Sequence, residues 1–262
     1  MLVRTITALI GAPLLLGLTY LGGSYTALLT AVIGLLTLHE FQEIARKLGV
    51  NIWTKATYLG AVVWLVLITS GQREWLFPFL IFWLLICLGR MGIQYPQVRF
   101  SEVGMNFLSI VYTVILSSHL LMLRSLEQGR AWAFLAFFLV WATDTFAYII
   151  GRAIGKHPLA PQVSPNKTVE GSVGGLVGAV LTSLIAAQVM DGIPWTFFLG
   201  LGLIIGLSAQ IGDLFESALK RSAGVKDSGK LLPGHGGFLD RFDSMLFAFP
   251  IVYYSVLFFI VR

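Results

Sequence analysis

The chain has 262 residues, of which 56% are apolar and only 12% are charged, and its mean hydropathy is +0.82. Because an ordinary soluble domain carries about 25% charged residues, this composition excludes a soluble globular protein and favours a polytopic membrane protein. The net charge of +5 agrees with anionic lipid or phosphate partners, and the single cysteine excludes an intramolecular disulfide or a cysteine-based metal cluster.

A membrane span needs about 20 mostly apolar residues, and about nine segments qualify as candidates. We interpret the N-terminal apolar run as a retained span and not as a cleaved signal peptide, because no small-residue cleavage site follows it. The predicted spans cover about 5–22, 25–38, 56–70, 75–89, 103–123, 131–151, 171–190, 195–213 and 242–261.

These spans predict an all-α polytopic membrane protein. We expect an N-terminal membrane region over 1–130, with spans one to five, and a catalytic membrane region over 131–262, with spans six to nine. Fourteen of the 18 Lys and Arg residues fall on one side of the predicted topology. By the positive-inside rule, the N-terminus is cytoplasmic, the C-terminus is extracytoplasmic, and the loops 152–170 and 214–241 lie together on the cytoplasmic side.

The polar segment His39-Glu40-Phe41-Gln42-Glu43 ends the second predicted span. Charged side chains at the end of an apolar helix commonly reach the lipid headgroups. We therefore interpret this segment as an interfacial helix end.

Asp144 lies near the cytoplasmic half of the sixth predicted span, and Tyr148 follows it at i+4 on the same helix face. A carboxylate at membrane depth is costly and is by default a functional hypothesis. Asp144 is therefore a candidate contact for a polar substrate or a metal inside a cavity. The alternative is a structural hydrogen bond to a neighbouring helix.

The segment 160–175 contains two prolines and leads into a Gly-rich span. Residues 164–170 predict the start of a helix, and the glycines of 171–178 predict close helix packing. Lys167 and Thr168, beside helix-start N–H groups, form a candidate phosphate cradle. It is not a Walker A loop, because its glycines follow the lysine; the alternative is helix capping with a topology-determining charge.

Much of the polar chemistry of the chain is concentrated in residues 213–243, between two long apolar runs. Asp213 ends the eighth predicted span, and at helical spacing either Glu216 or Ser217 shares its face. Lys220 lies on that face one turn later. Six Gly and Pro residues then exclude a regular helix and allow backbone N–H groups to approach an anion.

Asp240 and Asp243 lie at i and i+3 at the start of the last predicted span. The alternative to a functional role is a favourable interaction with the helix dipole. With Asp213 as a third carboxylate, the group suits a hard cation such as Mg²⁺, which prefers carboxylates, waters and substrate phosphates. His235 is interpreted as a phosphate contact or a loop residue, with acid–base chemistry as the weaker alternative.

These residues carry a resemblance to the phosphatidate cytidylyltransferase (CDP-diacylglycerol synthase) family. The segments Ser164–Gly171 and Asp144-Thr145 are also similar to it, so the resemblance covers about 140–262. The longest matching motif is Ser217-x-Leu219-Lys220-Arg221-x4-Lys226-Asp227-x-Gly229-x2-Leu232-Pro233-x-His235-Gly236-Gly237-Phe238-x-Asp240-Arg241-Phe242-Asp243.

The resemblance implies that CTP and phosphatidic acid give CDP-diacylglycerol and pyrophosphate, in a Mg²⁺-dependent step that leaves room for a second metal ion. It implies that Asp213, Asp240 and Asp243 bind metal and, with Lys220 and Lys226, form the catalytic set. The implied phosphate contacts are Lys167, Lys220, Arg221, Lys226 and Arg241. The full set of expected substrate-binding residues is Asp144, Lys167, Thr168, Glu170, Ser217, Arg221, His235, Gly236, Gly237 and Arg241.

The resemblance also implies a homodimer in the inner (cytoplasmic) membrane, in contact with membrane lipids and without a nucleic-acid partner. We expect the active site in a cytoplasm-facing funnel between spans six to nine. Two alternatives stay open. A CTP-dependent lipid kinase would transfer the γ-phosphate and release CDP. A transporter for an anionic solute would need a charged pathway to both membrane faces, whereas the charges here collect on one.

Overall fold

The computed structural model describes residues 2–231, 234 and 236–260. This part of the chain is built almost entirely from helices, in agreement with the prediction. In chain order they are α1 (Leu2–Leu21), α2 (Gly23–Lys47), α3 (Thr54–Thr69), α4 (Leu76–Ile93), α5 (Phe100–Ser109), a π-helical segment (Ile110–Ile115), α6 (Leu116–Arg124), α7 (Gly129–Ile154), α8 (Val169–Ala186), α9 (Trp195–Ser222) and α10 (Leu239–Phe259), with a 3₁₀ turn at Arg73–Trp75 before α4.

Seven helical segments within the described residues are long and apolar enough to cross a membrane. One of them, Phe100–Arg124, joins α5, the π-helical segment and α6 into a single rod. Two shorter apolar helices, Leu9–Leu21 and Thr54–Thr69, lie where the sequence predicts the first and third spans. The prediction of a polytopic helical membrane protein is therefore confirmed at this level.

Glycines let α7, α8 and α9 pack closely. A Cβ added at Gly175 on α8 would lie 2.9 Å from the Thr143 carbonyl oxygen on α7, and one at Gly202 on α9 would lie 2.8 Å from Val180 Cα on α8. Backbones this close leave no room for a side chain. The prediction that the glycines of 171–178 permit close packing is confirmed.

One hydrophobic core joins the N-terminal and C-terminal helices. Phe41 of α2 and Leu123 of α6 are fully buried in the same cluster as Phe137 of α7, Phe198 of α9 and Phe249 of α10. The Phe137 and Phe249 rings meet edge to face, with centroids 5.5 Å apart, which is a favourable aromatic geometry. The helices that carry the polar motifs are thus packed directly on the N-terminal ones.

The turns before α2, α4 and α7 lie together at one end of the bundle. Arg124 Nε donates to the Thr19 carbonyl oxygen at 2.9 Å, and Arg73 Nη2 donates to Ser125 Oγ at 2.7 Å. At the other end, Arg221 Nε donates to the Val163 carbonyl oxygen at 3.2 Å. That contact joins the loop after α9 to the segment before α8.

The segment before α8 differs from the prediction. Within 164–170, only Val169 and Glu170 are helical: β2 (Ser164–Thr168) pairs antiparallel with β1 (Pro158–Ala160), and α8 begins at Val169. The physical reason lies in Pro165, which lacks a backbone N–H and disfavours helical geometry at the preceding residue. This hairpin is the exception to the all-helical prediction among the described residues.

Candidate active site

A cavity of about 540 Å³ opens between α7, α8 and α9 beside the β-hairpin. Its volume falls in the usual range for small-molecule and cofactor sites. Ala147, Leu159 and Leu214 contribute apolar surface. The polar lining consists of Asp144, Tyr148, Arg152, Asn166, Lys167, Thr168, Ser172, Gln210 and Asp213.

Charged residues that are distant in sequence meet in this cavity. Lys167, in β2, forms an ion pair with Asp213 of α9, and both side chains are partly exposed. Asp144 projects into the same cavity from α7. Arg152 lies one turn after Tyr148, and its Nη1 donates to the Tyr148 hydroxyl at 2.9 Å. The cavity therefore offers two carboxylates and two cations to a ligand.

The candidate phosphate cradle is partly occupied by the protein itself. Thr168 is the N-cap of α8, and its Oγ1 accepts from the Gly171 N–H at 3.1 Å. Glu170 Oε2 accepts from the backbone N–H groups of Lys156 at 3.1 Å and His157 at 3.2 Å. Both polar side chains thus hold local structure, as helix-start capping residues do.

Lys220 lies in a nearly closed ionic cluster. Its Nζ contacts Glu216 one turn earlier on α9 and Asp240 on α10. The exposed fractions of the three side chains are 12% for Lys220, 1% for Glu216 and 5% for Asp240. Removing the ammonium from between two buried carboxylates would leave uncompensated negative charge inside the protein, which is strongly unfavourable. Lys220 is therefore an ion-paired residue.

Both carboxylate oxygens of Asp240 are bonded by the protein. Oδ1 contacts Lys220, while Oδ2 accepts from the Gly237 N–H at 2.7 Å and the Ser228 N–H at 3.0 Å. Backbone donors around a carboxylate resemble an anion-binding nest. Here the occupant is a side chain of the protein.

The predicted metal set of Asp213, Asp240 and Asp243 does not converge on one position. Among the residues that the structure describes, no three His, Cys, Asp or Glu side chains are placed to hold one ion. Asp243 is 9% exposed, accepts from the Ser244 N–H at 2.7 Å and lies within electrostatic range of Asp213. Because Mg²⁺ is usually held by one or two carboxylates plus substrate phosphates, Asp213 and Asp243 fit such an ion, whereas Asp240 is already saturated.

Ser217 lies beside this pair, and its Oγ donates to Asp213 Oδ1 at 3.3 Å. Arg221, Lys226 and Arg241 are exposed around the loop after α9. The Arg221 guanidinium also donates to the Val225 carbonyl oxygen at 3.2 Å. These cations lie near the end of the bundle without closing the cavity.

The Gly-rich loop is described only in part. Gly236 has φ +82°, a conformation that side chains rarely adopt. A Cβ at Gly237 would overlap Ser228 Oγ and the Glu40 carboxylate, so this glycine is placed against protein atoms. The predicted role of His235 falls outside the described residues.

The interpretation of His39–Glu43 as an interfacial helix end is wrong for its two central polar residues. Glu40 is 1% exposed and Gln42 is fully buried, with its Nε2 donating to Thr57 Oγ1 at 2.6 Å. The two residues at the ends of the segment behave as expected, because His39 is exposed and Glu43 has a partly exposed side chain that pairs with Arg46. A carboxylate next to an apolar run needs a partner when it is buried, but the local sequence does not show that Glu40 is buried.

Comparisons with known proteins agree with the resemblance. A model of the cytidylyltransferase family matches residues 2–259. A phosphatidate cytidylyltransferase of Staphylococcus saprophyticus is 36% identical over 257 residues, which cover 96% of this chain and 97% of the relative. One from Staphylococcus aureus is 33% identical over 257 residues, which again cover 96% of this chain and 97% of the relative. One from Bacillus subtilis is 45% identical over 157 residues, which cover 59% of this chain and 58% of the relative. The chain therefore belongs to the cytidylyltransferase family.

Proposed function

We propose that the protein transfers the cytidylyl group of CTP to phosphatidic acid, giving CDP-diacylglycerol and pyrophosphate in phospholipid biosynthesis. The observation that carries the proposal is near full-length similarity to proteins named phosphatidate cytidylyltransferase. The charged cavity among membrane-length helices supports it, since a lipid and a nucleotide must meet where apolar and aqueous phases adjoin.

The chemistry is an in-line displacement at phosphorus. A phosphate oxygen of phosphatidic acid attacks the α-phosphorus of CTP, the bond to the bridging oxygen of the β-phosphate breaks, and pyrophosphate leaves with that electron pair. Because the attacking phosphate is already ionised at neutral pH, no general base is required. Catalysis then consists of positioning and charge stabilisation.

The cations near the cavity suit this task. Lys167 and Arg152 line it, and the structure places Arg221, Lys226 and Arg241 exposed around the adjoining loop. We assign Lys167 and Arg152 to the reacting phosphates, where the ion pair of Lys167 with Asp213 exchanges for a phosphate contact. The three exposed cations take the triphosphate and the departing pyrophosphate.

We assign Asp213 and Asp243 as the protein ligands of Mg²⁺, and Asp240 as the residue that orients Lys220. When bound, Mg²⁺ neutralises phosphate charge. The negative charge of Asp213 acts on the buried Asp243 carboxylate, and this supports the assignment because a bound cation relieves the repulsion between like charges.

We further propose a cytoplasmic N-terminus, an extracytoplasmic C-terminus and a cytoplasm-facing cavity in the inner membrane, with a homodimer as the assembly. Arg73 and Arg124 lie at one end of the bundle, and Arg221 and Lys226 lie at the other. This separation agrees with the predicted topology, in which the first two are extracytoplasmic and the last two are cytoplasmic. This topology has nine membrane crossings, so the two shorter apolar helices must cross the membrane in addition to the seven membrane-length segments.

The proposal is tested with purified protein in lipid nanodiscs, supplied with CTP, Mg²⁺ and phosphatidic acid. Pyrophosphate and CDP-diacylglycerol should form in equal amounts, and Asp213→Asn should reduce the rate strongly. Asp191→Asn is the matched control, because Asp191 is an exposed residue in the turn between α8 and α9. Release of CDP instead of pyrophosphate would identify a lipid kinase and reject the proposal.

A further inference from the structure

Glu40 is a buried carboxylate of the N-terminal half that contacts the Gly-rich loop of the C-terminal half. Its side chain belongs to α2 and is 1% exposed. Oε1 accepts from the Phe238 N–H at 2.8 Å, and Oε2 accepts from the Leu239 N–H at 2.8 Å and from Ser228 Oγ at 2.7 Å. Among the residues that the structure describes, Glu40 forms no ion pair.

These contacts explain how an unpaired carboxylate is tolerated inside the protein. Phe238 and Leu239 are the N-cap and first residue of α10, where backbone N–H groups have no partner within the helix. The helix dipole also places partial positive charge there. Glu40 thus acts as a capping group supplied by a helix about 200 residues earlier in the chain, and it fixes the start of α10.

Two glycines of the loop, Gly229 and Gly237, leave room for the Glu40 carboxylate. A Cβ at Gly229 or at Gly237 would overlap the Glu40 carboxylate, and the one at Gly237 would also lie 2.6 Å from the Gly229 nitrogen. The sequence interpretation assigned this glycine-rich backbone to an anionic substrate. At these two positions the anion against the backbone is Glu40.

Ser228 links Glu40 to the catalytic candidates. Its Oγ donates to Glu40 Oε2, and its backbone N–H donates to Asp240 Oδ2 at 3.0 Å. The Asp240 N–H donates back to Ser228 Oγ at 3.3 Å, while Asp240 Oδ1 contacts Lys220. A continuous polar chain therefore runs from Glu40 through Ser228 and Asp240 to Lys220.

We propose that Glu40 is a positioning residue for cytidylyl transfer, which holds Ser228 and the start of α10 so that Asp240 orients Lys220. The inference rests on the proposed function. Its physical basis is that a carboxylate with fixed hydrogen-bond partners restricts the orientation of the next group in the chain, as outer-shell partners do for catalytic ligands.

The test compares Glu40→Gln with Glu43→Gln on the same helix. Gln keeps the size of the side chain but presents an NH₂ group to donors that need an acceptor. The readout is the single-turnover rate constant with labelled CTP, enzyme in excess and phosphatidic acid saturating. While folded enzyme stays in saturating excess over CTP, the rate constant does not depend on how much protein is folded, whereas a loss of positioning lowers it. The folded fraction of each variant is measured separately by thermal unfolding.

We expect the rate constant of Glu40→Gln to fall about 10- to 100-fold and that of Glu43→Gln to stay within about twofold, since the Glu43 side chain is partly exposed and pairs with Arg46. Ser228→Ala keeps both backbone contacts of Glu40 and the Ser228 N–H contact with Asp240 Oδ2, but it removes the Oγ through which Glu40 reaches the Asp240 N–H. It should show a comparable fall, and the double variant with Glu40→Gln should be little worse than either single one.

An unchanged rate constant in Glu40→Gln, or single effects that multiply in the double variant, would overturn the inference. If Glu40→Gln fails to fold, Ser228→Ala decides alone: a slower rate constant supports the link and a normal one rejects it. A wild-type protein that forms no CDP-diacylglycerol would instead reject the proposed function. The two failures are thereby distinguishable.

Discussion

Replacement of Lys220 by Met removes the cation between two buried carboxylates and keeps an unbranched side chain of similar length. The exposed fractions are 1% for Glu216 and 5% for Asp240, so water cannot easily take the place of the ammonium group. Breaking a buried ion pair from one side costs about 3–5 kcal/mol, because the remaining charge stays buried. We expect the lower end, since Lys220 itself is 12% exposed.

A loss of about 3 kcal/mol corresponds to a fall of about 6–12 °C in the midpoint of thermal unfolding for a chain of this size. The assay is thermal unfolding of the purified protein in one detergent at constant lipid content. Lys230→Met is the control, because Lys230 is exposed on the loop that follows α9, and its midpoint should not move by more than about 2 °C.

The double variant Glu216→Gln/Lys220→Met sharpens the test. Removing both charges leaves a neutral pair of similar volume, so the double variant should be more stable than Lys220→Met alone. Because Lys220 belongs to the expected catalytic set, the single and the double variant should both have low activity. The reasoning is refuted if Lys220→Met unfolds at the wild-type temperature, or if the second substitution lowers stability further.

Three further outcomes are expected. Gly175→Ala places a Cβ 2.9 Å from the Thr143 carbonyl oxygen and should lower the free energy of unfolding by about 1–3 kcal/mol. Gly200→Ala is the control, because no atom lies within 4 Å of its new Cβ, and it should stabilise the protein by up to about 1 kcal/mol. Equal shifts of the two variants in thermal unfolding would contradict the packing argument. Asp243→Asn should raise the Mg²⁺ concentration for half-maximal activity about 10-fold or more, and an unchanged Mg²⁺ titration would remove this residue from the ligand set. Thr168→Ala should cost about 1 kcal/mol of stability through loss of the α8 cap, with Thr168→Ser close to wild type as the check.

The sequence predicted the helical membrane architecture because apolar runs of membrane length are local signals. The same holds for the packing glycines of α8, whose role follows from their spacing on one helix. The β-hairpin was missed because Lys167 and Thr168 look like the start of a helix, and the pairing of β2 with β1 depends on a partner strand. Local propensity cannot report that partner.

Side-chain partners were the hardest part to predict. Helical spacing places Glu216 one turn before Lys220, but no spacing rule shows that Asp240 of α10 completes the cluster around this ammonium group. Glu40 lies 188 residues from Ser228. A helix end that faces headgroups and one that caps a distant helix have the same local sequence pattern, so only the tertiary packing of α2 on α10 distinguishes them.

The most direct test of cytidylyl transfer follows the two ends of the CTP triphosphate in separate reactions. Purified protein in nanodiscs receives phosphatidic acid, Mg²⁺ and CTP labelled at either the α- or the γ-phosphorus, and the label is then located in the lipid or aqueous phase. The α label should enter the lipid as CDP-diacylglycerol, and the γ label should remain in the aqueous phase as pyrophosphate. Transfer of the γ label to the lipid, with CDP left in solution, would contradict the account.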